Sequence, residues 1–435
     1  MRYLTMKKIV IVGGGAGGLE LATQLGNKLG KKNRAEVILV DKNPSHLWKP
    51  LLHEIATGVL DDQMDEVNYL AHGKRNHFKF KQGALLDIDR ENKKIKVAGV
   101  KNPAGEEIFP ATELSYDVLV MAIGSTSNDF GTPGVKDHCI LLDDQVQAKR
   151  LRQIMLDTFF KFSASPETTK SDKINIAIVG GGATGIELTS ELFTMAEKLK
   201  SYGFDKISPK TLNVTLIEAA DRIIPVLSEK LSQSIKEQLE EFGAKVLTKT
   251  MITKADHDGF YPKEGDVIKA DIMIWAAGVK APDFLKDIAG LETSRSNQLV
   301  VKSTLQTTRD DDIFVIGDCA SSPKPAGGFT PPTAQAAHQM ASICAKNVMA
   351  HLNELPLSNF KYKDKGTIIS LAHTAQGSVT TVGSSSMIVR GTPAHMIYRM
   401  LYRMHQAALY GNIKTGRLMM AGRVYRSVRP TLRLN

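Results

Sequence analysis

Two stretches decide the fold: Ile9-Val10-Ile11-Val12-Gly13-Gly14-Gly15-Ala16-Gly17-Gly18, and its near-repeat Ile176-Ala177-Ile178-Val179-Gly180-Gly181-Gly182-Ala183-Thr184-Gly185. Each begins as a short apolar run, the pattern of a strand buried on both faces of a parallel sheet. Each continues with glycines spaced G-x-G-x-x-G. The first glycine makes the tight turn out of the strand, the second lets backbone approach a pyrophosphate, and the third lets helix and strand pack closely. The pyrophosphate then rests on free N–H groups at the positive end of the next helix, expected from about Leu19 in the first copy. Working outward, each copy is followed by another apolar strand ending on an acid. Val37-Ile38-Leu39-Val40 ends at Asp41, and Val214-Thr215-Leu216-Ile217 ends at Glu218. Such a carboxylate accepts a hydrogen bond from a ribose 2′-OH and repels a 2′-phosphate. Glycines serving close packing alone would have to arise twice with the same sequel. The pattern predicts two dinucleotide sites in one chain, the layout of a flavoprotein that takes hydride from a nicotinamide. Glu218 stands further past its fingerprint than the usual spacing of about 20 residues, and Tyr202-Gly203-Phe204-Asp205-Lys206-Ile207-Ser208-Pro209 reads as the insertion responsible.

A chain of 435 residues has room for two or three domains, each with its own core. Its 42% hydrophobic and 23% charged content is ordinary for a globular protein. Cys139, Cys319 and Cys344 show no close pairing, so no disulfide framework or metal site is expected, and a reducing compartment is. The first strand starts so early that no signal peptide is expected. No apolar run approaches the roughly 18 residues that a membrane span needs.

Charge is unevenly placed. Asp364 is the last acid. Beyond it stand Lys365, Arg390, Arg399, Arg403, Lys414, Arg417, Arg423, Arg426, Arg429 and Arg433, which account for the whole net charge of +10. On a helical wheel Arg399, Arg403, Gln406 and Tyr410 share one stripe, with Ile397, Leu401, Met404 and Ala408 opposite. Arg423, Arg426, Arg429 and Arg433 form a second helically spaced series that Pro430 should end near Arg429, and Gly411 and Gly416 are expected to separate the two segments. An arginine face opposite an apolar face describes a helix lying in an anionic membrane surface. A docking helix for a dimer or a core would mix charge signs. A nucleic-acid patch would not need the apolar stripe, so no nucleic acid is expected.

Two further strands run into small-residue turns: Tyr116 to Gly124, and Ala270 to Gly278. They are similar to the strands that return each nucleotide domain to its linker in two-dinucleotide flavoprotein reductases. Ile313-Phe314-Val315-Ile316-Gly317-Asp318 then offers a strand, a glycine and a carboxylate. In such reductases this aspartate binds the ribityl chain of FAD; its bland role is a helix N-cap. Coming third in order, it makes the first domain the FAD domain, interrupted by the NADH domain. The expected class is α/β, with two Rossmann-like dinucleotide-binding domains and a C-terminal amphipathic membrane-binding region. The FAD domain spans 7–125 and 295–380, the NADH domain 165–285, and the membrane region 390–435.

Over essentially its whole length the chain resembles the type II NADH:quinone oxidoreductases. The carrying residues are both fingerprints, Gly317-Asp318, Trp48-Lys49-Pro50-Leu51-Leu52 and Ala334-Gln335-Ala336-Ala337-His338-Gln339. The last matches the family's AQxAxQ pattern, which implies a quinone site against the flavin. The resemblance and the motifs assign non-covalent FAD to Gly13, Gly15, Ala16, Gly18, Asp41, Lys49, Gly124, Gly317, Asp318, Ala334 and Gln335. They assign NADH to Gly180, Gly182, Gly185, Glu187, Glu218 and Gly278, and quinone to Gln335 and Gln339. Glu187 matches the glutamate that the family places near the nicotinamide; with Gln335 and Gln339 it is the candidate catalytic set, either as an acid–base group or as pocket lining. Gln335 and Gln339, four apart, share a helix face from which neutral amides can donate to quinone carbonyls. His338, on another face, is a candidate proton donor and equally a structural histidine. The resemblance further implies respiratory NADH oxidation by a membrane quinone without proton pumping, peripheral attachment at the cytoplasmic face of a bacterial inner membrane, and a homodimer. Disulfide reductases and sulfide:quinone reductases share the layout but need cysteine pairs that the sequence does not supply near the flavin. A flavin-dependent redox sensor binding a partner or DNA through the basic tail is the competitor from another class.

Overall fold

The computed structural model describes residues 6–60, 66–166, 172–380, 386–428 (side chains through 424) and 432. Its helices include α1 (Ala16–Lys28), α2 (Leu52–Ala56), α3 (Ala183–Leu199), α4 (Ala334–His351), α5 (Gly391–Tyr410) and α6 (Asn412–Val428). The chain divides into two units. One comprises Met1–Trp48, Asp65–Thr126 and Val279–Lys363; the other comprises Lys49–Met64, Ser127–Gly278 and Asp364–Asn435.

The first unit is built on a five-stranded parallel sheet in the order Ile313–Val315, Val118–Met121, Lys7–Val12, Ala35–Asp41, Lys79–Gln82. The fingerprint strand is central, and Ile9, Val10 and Ile11 are fully buried, as an apolar run covered on both faces must be. The strand that precedes Gly317-Asp318 closes this sheet, although it lies far along the chain. Helix α1 begins at Ala16, three residues before the expected start, because the turn is finished once Gly15 reaches the cap position. Helices α1 and α4 pack together.

The second unit repeats the plan. Its parallel sheet runs Ile140–Leu141, Ile272–Trp275, Ile174–Val179, Leu212–Ile217, Lys245–Leu247. The insertion at 202–209 is a packed connection rather than a loose one, since Phe204 and Ile207 are buried beneath it. Lys49–Met64 belongs to this unit, where α2 packs on α3. An antiparallel sheet of Gly366–Leu371, Thr374–Thr380 and Ser386–Arg390 follows. Helix α5 lies on that sheet through Ala394, which is fully buried against Ile368 and Ala375. Gly411, at φ +80° and ψ 160°, ends α5, whereas Gly416 lies inside α6 and separates nothing. Arg429, Pro430 and Arg433 lie outside the described residues.

Candidate functional site

The two glycine loops carry the same construction. A Cβ on Gly13 would stand 2.3 Å from the Ala122 carbonyl oxygen, and one on Gly180 would stand 2.6 Å from the Ala276 carbonyl carbon; both glycines have positive φ. A Cβ on Gly18 would lie 1.8 Å from the oxygen of Gly13, and one on Gly185 would lie 2.0 Å from that of Gly180. These glycines hold helix against strand. At Gly15 and Gly182, by contrast, a Cβ would meet no atom within 4 Å. That is the face from which backbone can approach a pyrophosphate, at helix ends that carry no acid in the first turn.

The terminal acids also act alike. Asp41 Oδ2 accepts the Gly14 N–H at 2.6 Å and Oδ1 accepts that of Asn43 at 2.8 Å. Glu218 Oε2 accepts the Gly181 N–H at 2.7 Å and Oε1 accepts that of Ala220 at 2.8 Å. Each carboxylate therefore ties its own strand end to its glycine loop. A carboxylate offers about four acceptor positions, so this clamp is compatible with holding a ribose. Burial raises the Asp41 carboxyl above its usual range, and the two backbone N–H groups oppose the rise. Tyr69, absent from the sequence reading, seals the first loop by donating to the Gly14 oxygen at 2.8 Å. It sits on a separate helix with no motif of its own.

In the first unit Asp318 lies within a 3₁₀ turn, Gly317–Cys319, and so is not a helix N-cap. Its Oδ2 accepts from Ser125 Oγ at 2.7 Å, and its backbone oxygen accepts from Gln298 Nε2 at 2.9 Å. These three residues line a cavity of about 290 Å³ with Phe329, Thr330 and Pro331. Gly124 and Gly317 both have positive φ, as turns beside this cavity require.

Helix α4 is capped by Thr333, whose side chain accepts from the Ala336 N–H. Gln335 and Gln339 do share a face, but their amides have protein partners. Gln339 exchanges two hydrogen bonds with the Lys363 backbone, at 2.9 and 3.0 Å. Gln335 Oε1 accepts from the Tyr362 hydroxyl at 3.2 Å. His338 Nδ1 meets Glu20 Oε2 at 2.6 Å, and Glu20, on α1, is 1% exposed.

In the second unit Glu187 stands on α3, two residues after the last fingerprint glycine, Gly185, and is 5% exposed. Its Oε1 accepts the Ser370 N–H at 3.0 Å, and His53 Nδ1 lies 3.5 Å from Oε2. Burial, helped by the nearby acids Glu54 and Glu191, pushes the Glu187 carboxyl up to about 8. Burial also pushes His53 down to about 4. Near neutral pH this close pair is therefore an uncharged contact, not a salt bridge. Lys49 opens a short 3₁₀ turn before α2, and Gly278, at φ +63°, packs against Phe130.

Residues 7–341 match the family described as pyridine nucleotide-disulphide oxidoreductase. A type II NADH:quinone oxidoreductase of Haemophilus influenzae is 50% identical over 99% of this chain and 100% of its own length. The chain belongs to the type II NADH:quinone oxidoreductases. A Staphylococcus aureus type II NADH:quinone oxidoreductase is 32% identical, covering 86% of this chain and 90% of that one. A solved structure of NDH2 from Plasmodium falciparum in complex with NADH superposes with a TM-score of 0.78 at 18% identity, over 93% of this chain and 97% of that one. The family's cofactors are FAD and NADH, and the paired glycine loops and the Asp318 cavity fit two dinucleotides.

The three cysteines are buried and unpaired. Burial pushes Cys319 up to about 11, far from the accessible thiolate that disulfide exchange needs. Among the described residues no helix is long and apolar enough to cross a membrane. The tail differs from the wheel in one respect: Gln406 is buried, 6% exposed, and accepts from Arg403 instead of facing outward. The face that α5 leaves outward carries Met396, Met400, Leu401 and Met404 beside Arg399. On α6, Ile413, Met420 and Val424 are at least two-thirds exposed.

Proposed function

We propose that the first glycine loop, Asp41 and the Asp318 cavity hold FAD, and that the second loop and Glu218 hold NADH. When bound, FAD accepts hydride from NADH and returns two electrons to a quinone. The chain's own part is alignment: hydride transfer depends on placing two rings more than on proton chemistry. The clamps from Asp41 and Glu218 fix the two loops that would set those rings. The observation that carries this reading is the duplicated clamp, one acid to the N–H of the residue after the first fingerprint glycine, Gly14 in one unit and Gly181 in the other. Asp318 would take the ribityl hydroxyls, with Ser125 holding its carboxylate in place. Gln335 would face the quinone, while Gln339 holds the 362–363 segment against α4. Glu187 would sit beside the nicotinamide as a carboxyl that exchanges a proton near neutral pH, where acid–base groups are most effective.

Helices α5 and α6 would lie in an anionic membrane surface, their methionines in the interface and their arginines at the headgroups. On this reading the enzyme would lie peripherally at the cytoplasmic face of the inner membrane. We further propose a homodimer, which sedimentation of the flavin-loaded enzyme tests. The decisive experiment is NADH oxidation by purified protein with a membrane quinone, with and without vesicles. Flavin absorption, and quinone turnover stimulated by vesicles, are the expected results. Protein purified without a flavin band would overturn the cofactor assignment.

A further inference from the structure

Gly14 is held from both sides. Its N–H donates to Asp41 Oδ2 at 2.6 Å, and its carbonyl accepts from the Tyr69 hydroxyl at 2.8 Å. The second unit holds Gly181 at the same two places by different means. Its N–H donates to Glu218 Oε2 at 2.7 Å, but its carbonyl accepts the backbone N–H of Ile224 at 2.7 Å. What these carbonyls control is the next residue. A trans peptide is planar, so its C=O and N–H point in opposite directions. Turning the Gly14 oxygen to Tyr69 therefore turns the Gly15 N–H the other way, and the bond from Ile224 does the same for the N–H of Gly182. Among the described residues neither N–H has a protein partner. A Cβ on Gly15 or Gly182 would meet nothing within 4 Å, so both donors stand at the open part of their loops.

We infer that Tyr69 is a positioning residue for FAD, its hydroxyl aiming the Gly15 N–H at the pyrophosphate. The inference rests on the first loop holding FAD. Tyr69 is firmly seated for this role. It opens the helix Tyr69–Asn76 behind an Asn68 cap, and its own N–H donates to the Pro44 carbonyl at 3.1 Å. The residue is 2% exposed, and its ring centre lies 4.9 Å from that of Phe80. A Cβ on Gly14 would stand 2.3 Å from the hydroxyl, so the phenol reaches the carbonyl only because glycine lies beneath it. Burial, with Asp41 and Glu66 nearby, holds the phenol well above its ordinary range, so it stays protonated and remains a donor. A phenol has one proton to donate, and here it goes to Gly14. The Ile224 donor is main chain and survives any ordinary substitution. The Tyr69 donor can be deleted alone, which makes the first loop the testable one.

The test compares wild type, Tyr69→Phe and Asp41→Asn as flavin-loaded enzymes. Phenylalanine keeps the ring against Phe80 and removes only the hydroxyl. FAD release after dilution is followed by the rise in free-flavin fluorescence, and the bound pyrophosphate is observed by phosphorus NMR. Tyr69→Phe should release FAD about tenfold faster, the scale of one backbone donor lost to a charged phosphate. It should also shift the pyrophosphate resonances of the FAD that remains bound. Faster release with those resonances unmoved would make Tyr69 a support of the fold only, and overturns the inference. Release unchanged in Tyr69→Phe but faster in Asp41→Asn also overturns it, while leaving FAD in the first loop. Release unchanged in both variants overturns the assignment of FAD to that loop.

Discussion

Replacing Glu218 with Gln should narrow the enzyme's preference for NADH over NADPH, and the structure sets the size of the effect. Glu218 accepts two backbone N–H groups, from Gly181 at 2.7 Å and Ala220 at 2.8 Å, one on each oxygen. A glutamine has one oxygen, so one of those N–H groups must face an NH₂ whichever way the amide turns. That loss is shared by the free enzyme; what NADH itself loses is the charged acceptor for its ribose 2′-OH, a hydrogen bond worth about 1.5–3 kcal/mol. At 1.4 kcal/mol per factor of ten, kcat/KM for NADH should fall by about 10- to 100-fold. NADPH gains what NADH does not, because the carboxylate that repels its 2′-phosphate is gone. Its kcat/KM should fall less, or rise. The assay is steady-state kcat/KM for both nucleotides with a soluble acceptor. The duplicated clamp supplies the control: Asp41→Asn makes the same change in the other loop and should lower flavin retention without moving the NADH/NADPH ratio. A ratio unchanged in Glu218→Gln, or moved equally by Asp41→Asn, would refute the assignment of the second loop to NADH.

Gln335→Ala should lower kcat/KM for quinone by roughly tenfold, since a lost neutral hydrogen bond is worth about 0.5–1.5 kcal/mol and an unpaired carbonyl costs more. Anaerobic stopped-flow reduction of the flavin by NADH should barely change; equal slowing of both half-reactions would remove the residue from the quinone side. Gln339→Ala should also lower the melting temperature, because it releases both bonds to Lys363. Replacing Met396, Met400 and Met404 together with Ser should weaken binding to anionic vesicles by about 1 kcal/mol or more per side chain, measured by co-sedimentation, with the wild-type affinity falling as salt rises. Truncating the chain before α5 is the poorer test, because it would uncover Ile368 and Ala375. Glu187→Gln should be stabilising at high pH. The folded carboxyl, raised to about 8, disfavours the native state progressively as pH climbs from about 4.5 through 8. The variant's melting temperature should therefore exceed that of wild type by more at pH 9 than at pH 5, and a constant gap by calorimetry would contradict the burial argument.

Both nucleotide folds could be read from the chain because each is announced within a few dozen residues. The strand, glycine turn, helix and terminal acid are local, and steric demands at Gly13 and Gly180 leave little alternative to glycine. The Gly317-Asp318 turn was legible for the same reason. Partners separated along the chain were not. Tyr69 seals the first loop, and Ser125 steadies Asp318, without any spacing that announces them. The wheel for α5 found its arginines and apolar residues, yet it placed Gln406 outward, since periodicity gives a face and not what covers it.

By itself the sequence determined two dinucleotide units, their carboxylate ends and a cationic amphipathic tail, all of which follow from short-range sterics, periodicity and charge. Only the tertiary structure decided that Asp41 and Glu218 also clamp their own loops, that Gln339 is bound to Lys363, and that α5 seats its apolar Ala394 inward while leaving its methionines exposed. It alone brought Ser370 and His53 to one carboxyl on α3. The reason is physical: a hydrogen bond or a burial depends on which surfaces meet, and surfaces far apart in the chain meet only after the sheets have formed.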